Sequence, residues 1–178
     1  MKKSNAAIAV AVIASLAGCG SQALDDYAAE TPRLDLREYL NGPLTASGIF
    51  FDYAGRADLR FVVDMEGSWD GNTGTLAERF RYSDGQTDER VWTIRFTDDQ
   101  HFTATAHDVE GEATGGQQGN AAIMKYRLRI PRDGKEVVVS MEDWLYLQED
   151  GTLINRAKMR KFGFSVGELV VIFRKLPQ

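Results

Sequence analysis

Asp108, Glu110 and Glu112 occupy alternate positions in the stretch TATAHDVEGEATGGQQGNAA (residues 103–122), directly ahead of a glycine-rich run. Three carboxylates so placed could chelate calcium if the chain after Val109 folds back, but the spacing matches no EF-hand loop and more oxygen ligands would be needed. The run GGQQGN offers backbone amides to an anion. It lacks the Lys-Ser/Thr ending and following helix of a phosphate-binding loop, and EGEATGG surrounds it with negative charge. His101 and His107 share a face of an extended segment about 20 Å apart, too far for a common metal shell. Asp108 and Asp143 remain as a pair able to do acid–base work, since two carboxyls in a dry cavity can have one pKa raised. There is no Gly-x-Ser-x-Gly elbow, and no histidine falls on an inward phase to activate a serine. The sequence therefore points to no catalytic residue, metal or cofactor.

The elements that must position these acids are strands. Thr31 as cap, Pro32 at the first position and the stop Asn41-Gly42-Pro43 predict one short helix over 32–40, with Leu36, Tyr39 and Leu40 inward. From Leu44 onward the apolar period is two, and turn signals recur at Asp70-Gly71-Asn72-Thr73-Gly74, Asp84-Gly85, Asp98-Asp99, Asp133-Gly134 and Asp150-Gly151. Strands are expected near 57–69, 75–82, 89–97, 100–109, 121–130, 135–147, 152–162 and 167–174, with an earlier one at 47–53. Short connections between sequential strands favour an all-β, antiparallel up-and-down meander closing into a barrel of eight or nine strands. Such an interior holds packed side chains or one small ligand.

Alternation assigns the two faces. Leu59, Phe61, Val63, Met65 and Trp69 oppose Asp58, Arg60, Asp64 and Glu66; Trp92, Ile94 and Phe96 oppose Thr93 and Arg95; Met124, Tyr126, Leu128 and Ile130 oppose Lys125, Arg127 and Arg129. The basic rows Lys125, Arg127, Arg129 and Arg156, Lys158, Arg160 read as a solvated outer face, with lipid headgroups as the alternative contact. Because direction alternates in a meander, the inward residues at one mouth are Tyr82, Trp92, Asp108, Asn120 beside Ala122, Asp143 and Asn155. Phe61, Met65, Phe102, Ala104, Ala106 and Tyr126 line the cavity beneath, the two alanines leaving room. This ring is either the orienting rim of a small-molecule site or a hydrogen-bonded plug that satisfies turns. VVVSMEDWLYLQ is apolar on both phases, so the opposite phase would turn Trp144 and Tyr146 inward and Asp143 out.

The N-terminus supplies an address. Lys2 and Lys3 precede an apolar run, Ala6 to Ala17, too short to span a bilayer as a helix. Leu16-Ala17-Gly18-Cys19 resembles the lipobox of bacterial lipoproteins, in which the cysteine receives a diacylglyceryl group and becomes the new N-terminus. Residues 1–18 are then a signal peptide, 19–30 a lipid-anchored tether and 31–178 the barrel domain. Gly20 is not the aspartate that resemblance to enterobacterial lipoproteins links with retention in the inner membrane, so the resemblance implies the outer membrane, facing the periplasm. Cleavage removes two lysines and leaves 160 residues with net charge −7 rather than −5. That length suits one domain, and an acidic chain without a basic stripe argues against nucleic acid. Cys19 is the only cysteine, so lipidation leaves no disulfide and no thiol nucleophile.

GIFFDYAGR, FVVDMEGSWDGNTGTLAERFRYSDG, RVWTIRF, TATAHDVEGEATGGQQGNA, MEDWLYLQEDGTLINRAKMRKFG and VGELVVIFRK together resemble a family of bacterial lipoproteins with a lipocalin-like domain of unknown function. The resemblance covers nearly all of the chain after the signal. It implies an anchored lipocalin-like barrel and supplies no activity. The expected function is an envelope lipoprotein, bound to the membrane through diacylglyceryl-Cys19, that holds a small apolar molecule such as a fatty acid or lipid fragment. The alternatives are a filled barrel that works through protein partners, none of which the sequence identifies, and an enzyme acting on a bound lipid. Cys19→Ala is expected to leave the chain soluble in the periplasm or retained with its signal uncleaved; a processed chain that stays on membranes after carbonate washing contradicts the lipobox reading.

Overall fold

The computed structural model describes residues 22–132 and 134–177, so Cys19 and the signal segment lie outside the described residues. Ten antiparallel strands follow one another around a closed barrel: β1 Gly42–Asp52, β2 Ala57–Asp70, β3 Thr73–Tyr82, β4 Thr87–Phe96, β5 His101–Thr105, β6 Ala113–Gln118, β7 Ala121–Arg132, β8 Lys135–Leu147, β9 Leu153–Lys161 and β10 Phe164–Lys175. β1 closes the ring by pairing with both β2 and β10. The alternation that predicts strands is the alternation that builds the core. Along β2, Phe61, Val63 and Met65 are buried while Arg60, Val62, Asp64 and Glu66 face out. Closure leaves no strand at a free edge along its whole length, although one seam beside β4 is not laddered.

The count is ten rather than eight or nine because the glycine-rich run, expected to be a loop, is β6. Glycine weakens a strand for lack of a side chain to pack, but here a neighbouring ring takes that place. A Cβ on Gly115 would lie 2.2 Å from the Phe102 ring of the adjacent β5. The extra strand reverses the direction of everything after it. The β3–β4 turn and the 106–112 loop therefore stand at one end of the barrel, whereas Asn120, in the β6–β7 turn, stands at the other.

The second end is plugged by the chain ahead of β1. The helix expected over 32–40 shrinks to a single turn, α1 (Leu36–Tyr39), capped by Asp35 rather than Thr31, with the Asp35 side chain accepting from the Arg37 amide. Leu36, Tyr39 and Leu40 are buried, as their spacing predicts. The plug is tied to the rim at several points. The Leu34 amide donates to the Gly119 carbonyl at 2.8 Å, the Leu36 amide to Gln117 Oε1 at 2.9 Å, and the Tyr39 hydroxyl to the carbonyls of Gly151 and Phe173 at 3.0 and 3.1 Å. Within the stretch expected to be a tether, Leu24–Tyr27 form one 3-10 turn against β6 and β7, and Tyr27 sits 5.8 Å from the Trp144 ring. That contact settles the phase of β8. Trp144 lies on the outer face and is buried beneath Tyr27, while Asp143 points in.

One part of the wall is not closed by a strand ladder. β5 pairs only with Thr93–Phe96 of β4, and β6 only with Ala121–Lys125 of β7. Beyond them, residues 106–112 run along β7. There the Glu110 amide donates to the Arg127 carbonyl and the Arg129 amide to the Asp108 carbonyl, each at 2.8 Å. Toward Thr87–Trp92 of β4, side chains close the seam.

Gly67 is where the plug meets the barrel most closely: a Cβ there would lie 1.5 Å from the Leu40 carbonyl oxygen. Gly67→Ala is expected to cost about 1–3 kcal/mol by this overpacking, with faster amide exchange in residues 34–41. Unchanged stability and protection in that variant would contradict the plug.

Candidate functional site

The barrel encloses a cavity of about 160 Å³. Leu36 and Leu40 of the plug line it together with Met65, Leu76, Ile94 and Phe102. Five polar side chains interrupt or border this apolar wall, and they come from both sides of the barrel: Glu78 on β3, Arg90 on β4, Tyr126 on β7, Asp143 on β8 and Asn155 on β9.

Arg90 is the charge around which the rest is arranged. Glu78 and Arg90 are direct cross-strand partners. Arg90 grips Asp108 across the open seam: its Nε donates to Oδ1 at 3.2 Å and to Oδ2 at 2.9 Å, and its Nη2 donates to Oδ2 at 2.6 Å. Such two-pronged geometry is the strong form of an arginine–carboxylate pair. The guanidinium also lies 5.5 Å from the Phe80 ring centre and 5.6 Å from that of Trp92. Paired and flanked in this way, it stays charged despite burial.

The other two carboxyls are less well provided for. Glu78 is only 9 % exposed, and its Oε2 makes no hydrogen bond among the described residues; the nearest cation is Arg90 Nη1, 3.7 Å away. Burial pushes its pKa up to about 7, with the Arg90 charge opposing the rise and the charges of Asp108 and Asp143 adding to it. Asp143 accepts from the Tyr126 hydroxyl at 3.2 Å through Oδ2, while Oδ1 has no partner among the described residues. Burial raises its pKa to about 7 as well, against the opposing effects of Tyr126 and Arg90. Tyr126 is itself held protonated, chiefly by burial and by the facing Asp143. Its ring meets Trp92 edge-on at 5.4 Å, linking β7 to β4 across the interior.

The opening acids thus part company. Asp108 turns inward to Arg90, while Glu110 turns outward to Arg127, with Nη1 to Oε2 at 2.7 Å. Among the described residues, no group of three or more histidines, cysteines or acids is placed to hold a metal.

Of the residues expected at one mouth, Trp92, Asp143 and Asn155 line the cavity, and Asp108 joins them through Arg90, but the same reversal sets Asn155 beside the β8–β9 turn at the plugged end and turns the part of β8 that carries Asp143 toward that end rather than toward the mouth of Asp108. Tyr82 stacks on Phe80 nearer the rim, with ring centres 5.9 Å apart. Asn120 does not belong to this group, because β6 places it at the plugged end, where its amide reaches the Leu147 carbonyl at 3.4 Å. Asn155 is buried, and its amide donates to the Trp144 carbonyl at 3.2 Å. Among the expected lining residues, Phe61, Met65, Phe102 and Tyr126 face the cavity. Ala104 is packed within the core and Ala106 lies outside the lining, so neither makes the space. Glu78 and Arg90 escape a reading that looks for apolar alternation, yet each is in phase with it: Arg90 with Trp92, Ile94 and Phe96, and Glu78 with Leu76 and Phe80.

Asp108→Asn is expected to cost about 1–3 kcal/mol, because it leaves the Arg90 charge short of its partner. Adding Arg90→Met should recover part of that loss, since an apolar replacement removes the charge that needs neutralising. A coupling energy near zero in this double-mutant cycle contradicts the pairing.

The ten-stranded barrel is similar to the structure of an S-type phycobiliprotein lyase (CPES) from Guillardia theta, with a TM-score of 0.56 over 80 % of this chain and 92 % of that one. The two are 5 % identical, so the likeness concerns the fold alone. No curated protein matches the sequence. Residues 13–175 match the model of the family described as "Protein of unknown function (DUF3833)", and the chain, with its lipocalin-like barrel, belongs to that family.

Proposed function

We propose that this protein is a lipid-anchored, periplasm-facing binding barrel that holds one small, mainly apolar molecule. The observation that carries the reading is the 160 Å³ cavity, apolar except for one polar group of side chains crossing it. Apolar walls with a few convergent polar groups are the pattern of small-molecule sites. The volume is close to that of a cavity able to hold benzene, and below the roughly 300 Å³ at which drug-sized sites begin. The ligand is therefore one ring, or a short acyl chain or lipid fragment, rather than a whole lipid. Lipidation at Cys19 would hold the barrel side-on and close to its membrane, favoured as the outer one. The Gln22 side chain already hydrogen-bonds the Tyr146 hydroxyl on the outer wall, and three residues of chain reach at most about 11 Å.

A filled barrel acting through a protein partner is the second reading. Three exposed aromatics favour it: Tyr53 in the β1–β2 turn and Phe162 and Phe164 at the β9–β10 turn, on neighbouring strands at the far end from the plug. Native mass spectrometry separates the two. The protein, stripped of lipid and re-exposed to membrane extract, is expected to regain a one-to-one small-molecule adduct, and Ala157→Leu, which fills the cavity from β9, is expected to lose it while remaining folded. Absence of any adduct on the parent protein contradicts the binding reading.

A further inference from the structure

We propose that the molecule this cavity accepts is an apolar amine, its ring or short chain against the apolar wall and its ammonium group between Glu78 and Asp143. This deepens the cavity reading and rests on it.

The argument is a charge inventory of the interior. Among the described residues the cavity lining holds one cation, Arg90, which is gripped by Asp108 through three contacts between 2.6 and 3.2 Å and stands 3.7 Å from Glu78 Oε2. An anionic head such as a fatty-acid carboxylate would find no free cation there. It would instead meet Glu78 from β3 and Asp143 from β8. The groups facing these two acids are Arg90 from β4, Asp108 from the 106–112 loop, Tyr126 from β7 and Tyr82 from β3. Of these, the tyrosine hydroxyl of Tyr126 serves one oxygen of Asp143. Asp143 Oδ1 and Glu78 Oε2 are left without a hydrogen bond, and Glu78 is nine-tenths buried beside the cavity. A buried acceptor without a donor is costly, and a buried carboxylate without a compensating charge more so. A ligand that brings N–H donors and a positive charge supplies both, while a hydroxyl head supplies only a donor and a hydrocarbon neither. Raised carboxyl pKa values make the site adjustable: emptied, it can hold protons in place of the ligand's charge. Occupation by an ammonium group would displace those protons, so binding strengthens as pH rises through 7.

The test uses the full-length chain in lipid nanodiscs, with empty nanodiscs as the blank, and four probes of one size: benzylamine, benzyl alcohol, benzoate and toluene, titrated calorimetrically at pH 6 and pH 8. Benzylamine at pH 8 is expected to bind at least about tenfold more tightly than benzyl alcohol, the scale of one charge-assisted hydrogen bond, and benzoate more weakly than either. Benzylamine should weaken at pH 6 and release protons on binding at pH 7. Glu78→Gln and Asp143→Asn, which keep shape and remove charge, should collapse the amine-to-alcohol ratio toward one. The parent chain's ligand series needs no variant and decides the matter if either substitution unfolds the barrel. Benzoate or benzyl alcohol binding as tightly as benzylamine overturns the amine proposal while leaving the cavity reading intact. Binding of none of the four overturns both.

Discussion

A guanidinium carried inside a small barrel must be neutralised there, because the charge has lost the water that would otherwise solvate it. Arg90 imposes that constraint, and several features of the structure answer it. Asp108 leaves its loop to form a forked pair with it, Glu78 faces it across the ladder, and Phe80 and Trp92 lie beside its plane. The pair also does what no strand does at this point. β4 and β7 have no ladder between them beyond the short β5 and β6, and the contact from Asp108 to Arg90 fastens the 106–112 loop across the seam. One interaction thus compensates a buried charge and completes the wall.

The two ends of the barrel are treated differently. At one, residues 34–41 cross the opening and donate hydrogen bonds to the rim they cover, from the Leu34 amide to the β6–β7 turn and from the Tyr39 hydroxyl to the β8–β9 turn and to β10. Lys175 Nζ adds contacts to the Glu38 and Asn41 carbonyls at 2.8 and 3.1 Å. At the other end, Phe61, Phe80 and Tyr82 form a cluster with ring centres about 6 Å apart, with no plug over them among the described residues. A cavity remains between plug and aromatics, with the polar side chains in its wall.

Much of this is legible in the sequence, and the failures have physical causes. Phe61, Val63 and Met65 announce the inner face of β2 because burial of one face enforces a period of two. Trp144 shows the limit of that rule. It is apolar on the outer phase because Tyr27 covers it, a contact between residues more than a hundred positions apart that no local pattern carries. The run ATGGQQ reads as a loop because glycine and glutamine carry no strand signal, and the Phe102 ring that substitutes for the missing side chains belongs to another strand. Losing that single strand reverses the apparent direction of the chain, which is why Asn120 and Asn155 are misassigned to the mouth of Asp108. Glu78 and Arg90 are hidden for the opposite reason: charge reads as exterior, and only their phase with Leu76 and Trp92 reveals that they point in.

The central claim is that Asp108 grips Arg90 and leaves Glu78 and Asp143 as buried carboxyls, each with one oxygen that has no hydrogen bond among the described residues. Carbon-13 NMR titration of the side-chain carboxyls in the ligand-free protein measures this directly. The account requires the Glu78 and Asp143 resonances to titrate close to pH 7. Finding both titrating near pH 4, as carboxyls in water do, would mean that the interior is open to solvent and that the site described here does not exist.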